Sequence, residues 1–300
     1  MVAGDSFPCG DGRTTDPVAS VLSAAPVVLI LGASTAAGRF FLERASVTAA
    51  MRLIAVSRKV PAKSDSGVTW LQHDLAESAV PANPSVLVSF GPVGLAAQQL
   101  AASASIGRVV ALSSASTVFK SESGDATERA LMHSIAADEQ RLIELCKARN
   151  VSLDLFKTTM IYGGDEDSNV SRLGELIQTL PVLPVVGNGL RSPVHAQDLA
   201  DLAIKALADS DASRGTWLLE GGERLRYREL LYRIAAARGR TTRVVQVPLA
   251  VVRATLTLAQ WSGRLLDVNA AMLARQAEDL VVDDRPARKR LGWNPRRFSP

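Results

Sequence analysis

At 300 residues, 47% of them hydrophobic, the chain is long enough to bury a large core in one sizeable domain or in a core domain with an appendage. Its 34 basic and 30 acidic residues leave a net charge of only +4, which excludes a polyelectrolyte protein. Two cysteines, Cys9 and Cys146, exclude a disulfide framework and a Cys-rich metal site, and fit a reduced, cytoplasmic compartment.

Residues 1–25, rich in Gly, Pro, Ser, Asp and Thr, read as a disordered tail. No charge falls between Asp16 and Arg39, yet Pro26, Gly32 and Gly38 interrupt the run and its apolar part has only a strand's length. Neither an export signal nor a membrane span is expected from it. Val27 to Leu31 are apolar without a break, stop at Gly32, and give way to small residues and then an apolar helical pattern. This predicts a buried strand, a tight turn and a helix whose N-terminal N–H groups face the turn. Such a turn suits a dinucleotide pyrophosphate, with Ser34, Thr35 and Ala36 between Gly32 and Gly38 small enough to let it approach. Thr35 stands where the three-glycine fingerprint would have its middle glycine. The same stretch also reads as an ordinary strand, turn and helix without a ligand.

Further strands are expected at Arg52–Ser57, Val68–Gln72, Val86–Phe90, Val109–Ser113 and Val151–Thr158, with helices at Gly94–Ala104 and Thr127–Arg149. The alternation predicts an α/β, Rossmann-type, doubly wound parallel sheet, with ligands gathered at the carboxyl ends of its strands. The second strand ends in Ser57-Arg58-Lys59, a hydroxyl followed by two cations, which suits a ribose 2′-phosphate and favours NADP(H) over NAD(H). Arg58 and Lys59 read equally as solvated loop cations. After the third strand, Asp74 beside Leu75 offers a carboxylate to the adenine amino group or a cap to the next turn. Phe90, Gly91 and Ser113, at the ends of the fourth and fifth strands, complete the expected cofactor-binding set.

Gly32 and Gly38, Asp74-Leu75, Leu112-Ser113-Ser114 and Met160-Ile161-Tyr162-Gly163 occur in an order that resembles the extended short-chain dehydrogenase/reductase superfamily. Gly187 to Ala200 is similar to the segment that carries a nucleotide-sugar-binding arginine, here Arg191, and Ala287 to Pro295 to the closing motif. The resemblance implies a dinucleotide-binding domain over 26–165 with 193–220 returning to it. It also implies a smaller, mostly helical C-terminal substrate domain from 166–192 and 221–300. The superfamily's Tyr-x-x-x-Lys pair is absent, since no tyrosine precedes Tyr162, so the chain resembles an atypical member.

By resemblance Ser114 is the substrate-orienting hydroxyl, with Ser113 and Ser116 as register alternatives, and Tyr162 walls the nicotinamide pocket. Lys120 ranks first as proton donor in place of the missing pair. His133 could relay a proton or be structural; Lys157 and Thr158 stand where an arginine and a proline are common. His195 and Asp198 could bind a metal, but no further ligand is evident and Asp198 reads as a helix cap. The arginines from Arg224 to Arg243 and the six cations from Arg285 to Arg297 suit phosphate or a solvated face, without a nucleic-acid recognition motif. Val247 to Leu266 is apolar but broken by Arg253 and Arg264, as in packed substrate-domain helices.

The expected protein is an NADP(H)-dependent oxidoreductase or epimerase-like enzyme acting on a nucleotide-linked sugar or similar phosphate-bearing small molecule. The alternative is an inactive NADP(H)-binding scaffold or redox sensor. No metal, nucleic acid or membrane span is expected, and the sequence leaves open whether the protein is a homodimer.

Overall fold

The computed structural model describes residues 25–47, 51–61, 67–164, 167, 169–180, 182–209, 214–251 and 275–300. The sheet is built around β1 (Val27–Leu31), four of whose five residues are buried. On one side β1 pairs in parallel with β2 (Arg52–Ser57), which pairs with β3 (Val68–Gln72). On the other it pairs with β4 (Val86–Ser89), and beyond that lie β5 (Arg108–Ser114) and β6 (Ser152–Thr158). An edge strand, Gly215–Leu219, pairs in parallel with β6 and completes seven strands. The chain thus winds outward from β1 in one direction, then crosses back to wind in the other. The switch between β1 and β4 leaves a crevice at the carboxyl ends of these strands, where helices on opposite faces diverge.

Alternate residues of each strand feed opposite faces. Val28, Ile30, Val110 and Phe156 meet α1 (Ala36–Val47) and a helix over Ala196–Ala208, sharing a core with Ala287, Leu291 and Trp293. Leu29, Leu31, Val109, Ala111 and Leu155 meet α2 (Val93–Ala102) and the long helix Ala126–Ala148. The short helix α3 (Ser116–Phe119) precedes that long helix, α4. A third core joins Tyr162, Ile177, Leu230, Ile234 and Phe298, gathering α5 (Val170–Thr179) against the helix Tyr227–Ala237. Numbered in order, Ala196–Ala208 is α6, Tyr227–Ala237 is α7, and a last helix, α8, spans Arg285–Leu291.

The closing segment packs against the central sheet. Trp293 is buried on the sheet side and its Nε1 donates to the Glu220 carbonyl at 2.9 Å, so this stretch packs with the core around β1. Asp198 is not the cap of α6. The His195 ring caps it, Nδ1 accepting the Gln197 N–H at 3.1 Å, while Asp198 accepts from the Arg296 N–H and Nε at 2.9 and 2.8 Å. A ring nitrogen one residue before the helix reaches the free N–H groups as well as a carboxylate does, and Arg296 claims the carboxylate. No helix among the described residues is long and apolar enough to cross a membrane. Most of Val247 to Leu266 and nearly all of the N-terminal tail, Cys9 included, lie outside the described residues.

Candidate functional site

The turn after β1 is closed by contacts that leave no room for side chains. Gly32 has φ +67°, and a Cβ on it would lie 2.6 Å from the Gly91 nitrogen; a Cβ on Gly38 would lie 2.3 Å from the Gly32 carbonyl oxygen. Thr35 fits the middle position because its backbone is not left-handed, and its Oγ1 donates to the Gly32 carbonyl at 2.8 Å and accepts the Gly38 N–H at 3.2 Å. The threonine is therefore the N-terminal cap of α1. It takes up one of the amide protons that a phosphate would otherwise meet.

Above this turn opens a cleft of about 450 Å³, in the size range of small-molecule sites. Ser34, Thr35, Ala36 and Phe90 line one side, and Ser113, Ser114 and Ser116 the other. Thr158 closes the floor: it is 3% exposed, and its Oγ1 has no hydrogen-bond partner among the described residues. Such a hydroxyl is costly to bury unless a ligand or water completes it. Ser114 Oγ accepts the Ser116 N–H at 3.1 Å, which turns the chain from β5 into α3. Ser113 Oγ instead donates to Glu139 Oε1 at 2.5 Å, and Lys157 Nζ pairs with Glu139 Oε2 at 2.8 Å.

Ser57, Arg58, Asp74, Leu75 and Gly91 are not among the residues lining this cleft. Ser57 Oγ accepts the Lys59 N–H at 3.3 Å, and Arg58 is exposed at the end of β2. The pairing of Ile30 with Ala55 puts Ser57 level with Gly32 along the sheet, on the side away from β4. Asp74 takes the capping option, its Oδ1 accepting the Ala76 N–H at 2.9 Å.

Tyr162 and Lys120, expected at the reacting centre, and Arg191, expected to bind substrate, do not line this cleft. Tyr162 does not wall the cleft: it is 1% exposed, lies edge-on to His195 and Phe298, accepts the Ser299 N–H at 3.2 Å, and donates to the Arg297 carbonyl at 3.4 Å. Its strand β7 (Ile161–Tyr162) turns Ile161 to the cleft and the phenol to the opposite side, into the third core. Lys120 is carried away by α3 and pairs with Glu128 at 3.2 Å. Burial, with Arg275 and Arg191 nearby, holds its ammonium below the usual lysine range. Arg191 is 5% exposed and works on the backbone, donating to the carbonyls of Leu190, Glu278 and Arg275 at 2.7–2.8 Å with the Tyr227 ring 5.2 Å away. Lys120, Arg191 and Arg275 thus concentrate positive charge beyond the far end of α3, with Glu128 bonded to both Lys120 and Arg275.

His133 is exposed, its Nε2 3.3 Å from the Ser121 carbonyl, in a bridge between helix and loop. No cluster of three or more His, Cys, Asp or Glu suited to a metal occurs among the described residues. Sequence reasoning missed Arg39, Thr159, Asp167 and Asn169, which line the cleft. Arg39 was signalled by its place directly after Gly38, one helical turn beyond Thr35. Asp167 caps the start of α5, accepting the N–H groups of Asn169, Val170 and Ser171 at 3.0, 2.5 and 3.1 Å. It carries no local pattern of the kind a scan of strand ends detects. Much of the basic character of the last third is internal, as in Arg224 on Glu220, Arg233 on Glu223 and Glu229, and Arg288 on Asp284.

No profile of a known protein family matches the chain. It is 24% identical over 182 residues to UDP-glucose 4-epimerase of Vibrio cholerae, and spans about half, 52%, of that relative's length while 59% of the chain takes part. Among solved structures it is similar to UDP-glucuronic acid 4-epimerase from Bacillus cereus in complex with NAD, with a TM-score of 0.65 at 12% identity over 91% of this chain and 92% of that one. It is similar also to epimerase Mth375 from Methanothermobacter thermautotrophicus, with a TM-score of 0.66 at 14% identity over 91% and 88%. A third such structure is MoeE5 in complex with UDP-glucuronic acid and NAD, with a TM-score of 0.66 at 16% identity over 90% and 94%. With its switch point and its glycine-closed turn, the chain has the Rossmann-type, doubly wound α/β fold of these solved structures.

Proposed function

We propose that the cleft holds a nicotinamide dinucleotide and that the protein is an oxidoreductase or epimerase-like enzyme acting on a nucleotide-linked sugar or a similar phosphate-bearing metabolite. The observation that carries this reading is the pairing of a glycine-closed helix N-terminus with a polar cleft floor across the switch point. The residues present fit the group. The turn from Gly32 to Gly38 offers backbone donors to the pyrophosphate, Arg39 adds a cation, and Thr158 Oγ1 is a buried hydroxyl awaiting a partner. Bound there, the dinucleotide would take up and return a hydride; the protein would orient the substrate and move its proton.

We infer a preference for the 2′-phosphorylated form from Ser57 and Arg58, which stand level with the turn at the end of β2. Two of the similar structures are complexes with NAD, so the preference is tested directly. One charge-assisted contact contributes about 1.5–3 kcal/mol, so NADP(H) is expected to bind at least about tenfold tighter than NAD(H) in calorimetry. Arg58→Ala is expected to remove that margin and leave NAD(H) affinity unchanged. Equal affinities in the parent protein would refute the preference, and no binding of either dinucleotide would refute the cofactor itself.

On the substrate side, Lys120, Arg191 and Arg275 supply a positive field for a diphosphate, Arg191 by its charge and by holding the 275–278 backbone in place. Absence of the Tyr-x-x-x-Lys pair favours a second reading, a dinucleotide-binding scaffold or redox sensor. The two readings separate on hydride transfer. With UDP-glucose and oxidised dinucleotide, the enzyme reading expects a transient or net rise in reduced dinucleotide, and the scaffold reading expects tight binding with no change of redox state.

A further inference from the structure

Ser113 and Lys157 are register partners on adjacent parallel strands, so their side chains emerge side by side on the sheet face that α4 covers. Glu139 lies on the buried stripe of that helix with Met132, Leu142 and Cys146, and reaches both. One carboxylate oxygen accepts the Ser113 hydroxyl proton at 2.5 Å and the other meets the Lys157 ammonium at 2.8 Å. The Glu139 and Lys157 side chains are 8% and 13% exposed, and of the three residues only Ser113 lines the cleft. Stability does not account for this arrangement, because apolar side chains of similar volume usually serve a packed interior as well as a buried ion pair does, or better. What the array supplies is a hydroxyl on the cleft wall whose own proton is already directed at a carboxylate that a fixed cation keeps in place.

We propose that Ser113 Oγ is the proton-transfer group of the cleft, with Glu139 and Lys157 as the positioning residues behind it. The serine, glutamate and lysine do by this route the work for which the superfamily's missing tyrosine would be needed. The substrate rests on the reading given above: an alcohol of a nucleotide-linked sugar, oxidised by a nicotinamide dinucleotide. As the alcohol carbon gives up its hydride and the carbonyl forms, the substrate O–H bond breaks. Its proton passes to Ser113 Oγ, and the proton Ser113 held passes to Glu139. The alcohol is oxidised, the dinucleotide is reduced, and one proton rests on the glutamate. The reverse movement returns both.

The same geometry makes Ser113 Oγ reactive toward a phosphorus electrophile, which allows a test needing neither cofactor nor substrate. With a fluorophosphonate the Oγ–P bond forms as the P–F bond breaks, fluoride leaves, and the serine proton goes to Glu139. Peptide mass spectrometry of the treated protein is expected to find Ser113 labelled at least about a hundredfold faster than Ser114, the lower end of the range for an assisting base. Glu139→Gln is expected to lower labelling of Ser113 by a similar factor, and Lys157→Arg to retain it. Labelling of Ser114 in preference to Ser113, no labelling of Ser113, or equal rates in parent and Glu139→Gln would each overturn the proposal. Should Glu139→Gln fail to fold, the Ser113-to-Ser114 ratio in the parent protein still decides. Failure of dinucleotide binding in calorimetry would instead sink the cofactor reading and leave the labelling result standing.

Discussion

Replacing Gly38 by alanine sets two known effects against each other. In an ordinary helix interior the change stabilises by about 1 kcal/mol, because glycine has more backbone freedom to lose. Here the new methyl would sit 2.3 Å from the Gly32 carbonyl oxygen and 2.9 Å from both Cα and O of Ala33, all of them backbone atoms. Neither residue can yield: Gly32 already abuts the Gly91 backbone, and Ala33 is fully buried. Overpacking of this kind costs about 3 kcal/mol at the upper end of its usual range, so the net loss is about 2 kcal/mol. At about 2–4 °C per kcal/mol for a chain of this size, the melting midpoint is expected to fall by about 4–8 °C in thermal unfolding followed by circular dichroism. Dinucleotide affinity should fall with it, since relief of the clash moves the turn. Gly107→Ala, where a Cβ meets nothing within 4 Å, is the control and should melt within a degree or two of the parent. A Gly38→Ala protein that melts at or above the parent temperature would refute the argument that this glycine holds helix and turn together.

Tyr162→Phe removes a buried phenol bonded, among the described residues, to the backbone of Arg297 and Ser299, so it should lower stability by about 1 kcal/mol while leaving dinucleotide affinity unchanged; a large loss of affinity would return the tyrosine to the cleft wall. Burial, with Arg296 nearby, depresses the His195 imidazole below its usual range, Asp198 opposing in part. A folded pKa below the unfolded value gives stability that is complete above about pH 6.5 and declines as the pH falls beneath it. Between about pH 7.5 and 5.5, the parent melting midpoint should therefore drop more than that of His195→Asn, and equal drops would refute the assignment. Lys120→Met, which removes one of three neighbouring cations in a half-buried setting, should weaken UDP binding by about threefold to tenfold in calorimetry, with dinucleotide affinity held, and unchanged UDP affinity would place the diphosphate elsewhere.

The sheet was legible because its strands are short, largely apolar runs: β1 stops at Gly32, β2 at Ser57 and β5 at Ser113-Ser114, while β3 gives way to His73-Asp74. Arg52–Ser57 and Val68–Gln72 stand where the pattern puts them. The cleft was legible in part for the same reason: Ser34, Thr35, Phe90, Ser113 and Ser114 all sit at strand ends, and strand ends meet at the switch point. What escaped was direction. Tyr162 has the right address but the wrong face, and Lys120 lies one short helix too far along. Parity along the strands held the missing information. Val109 and Ala111, with Leu153 and Leu155, face α4, so Ser113 and Lys157 must face it too, and Glu139 is the buried acid waiting on that helix. Glu139 is 26 residues from one partner and 18 from the other, so no local motif could have joined them.

The two faces of the central sheet are closed by very different lengths of chain. Among the described residues, the core beneath α2 and α4 draws on buried residues between Leu29 and Leu155, whereas the core beneath α1 and α6 also includes Val194, Leu219, Leu291 and Trp293. Long-range closure is entropically slow, and contacts of high sequence separation govern folding rate. The α4 side can condense early, when α1 still presents Phe41 and Leu42 to water. The Ser113–Glu139–Lys157 array belongs to that early half, and the turn after β1 gains its full backing only when Trp293 arrives. In refolding, amide protons of β5 and α4 should become protected before those of α1, so the Ser113–Glu139–Lys157 side of the cleft matures before the turn after β1.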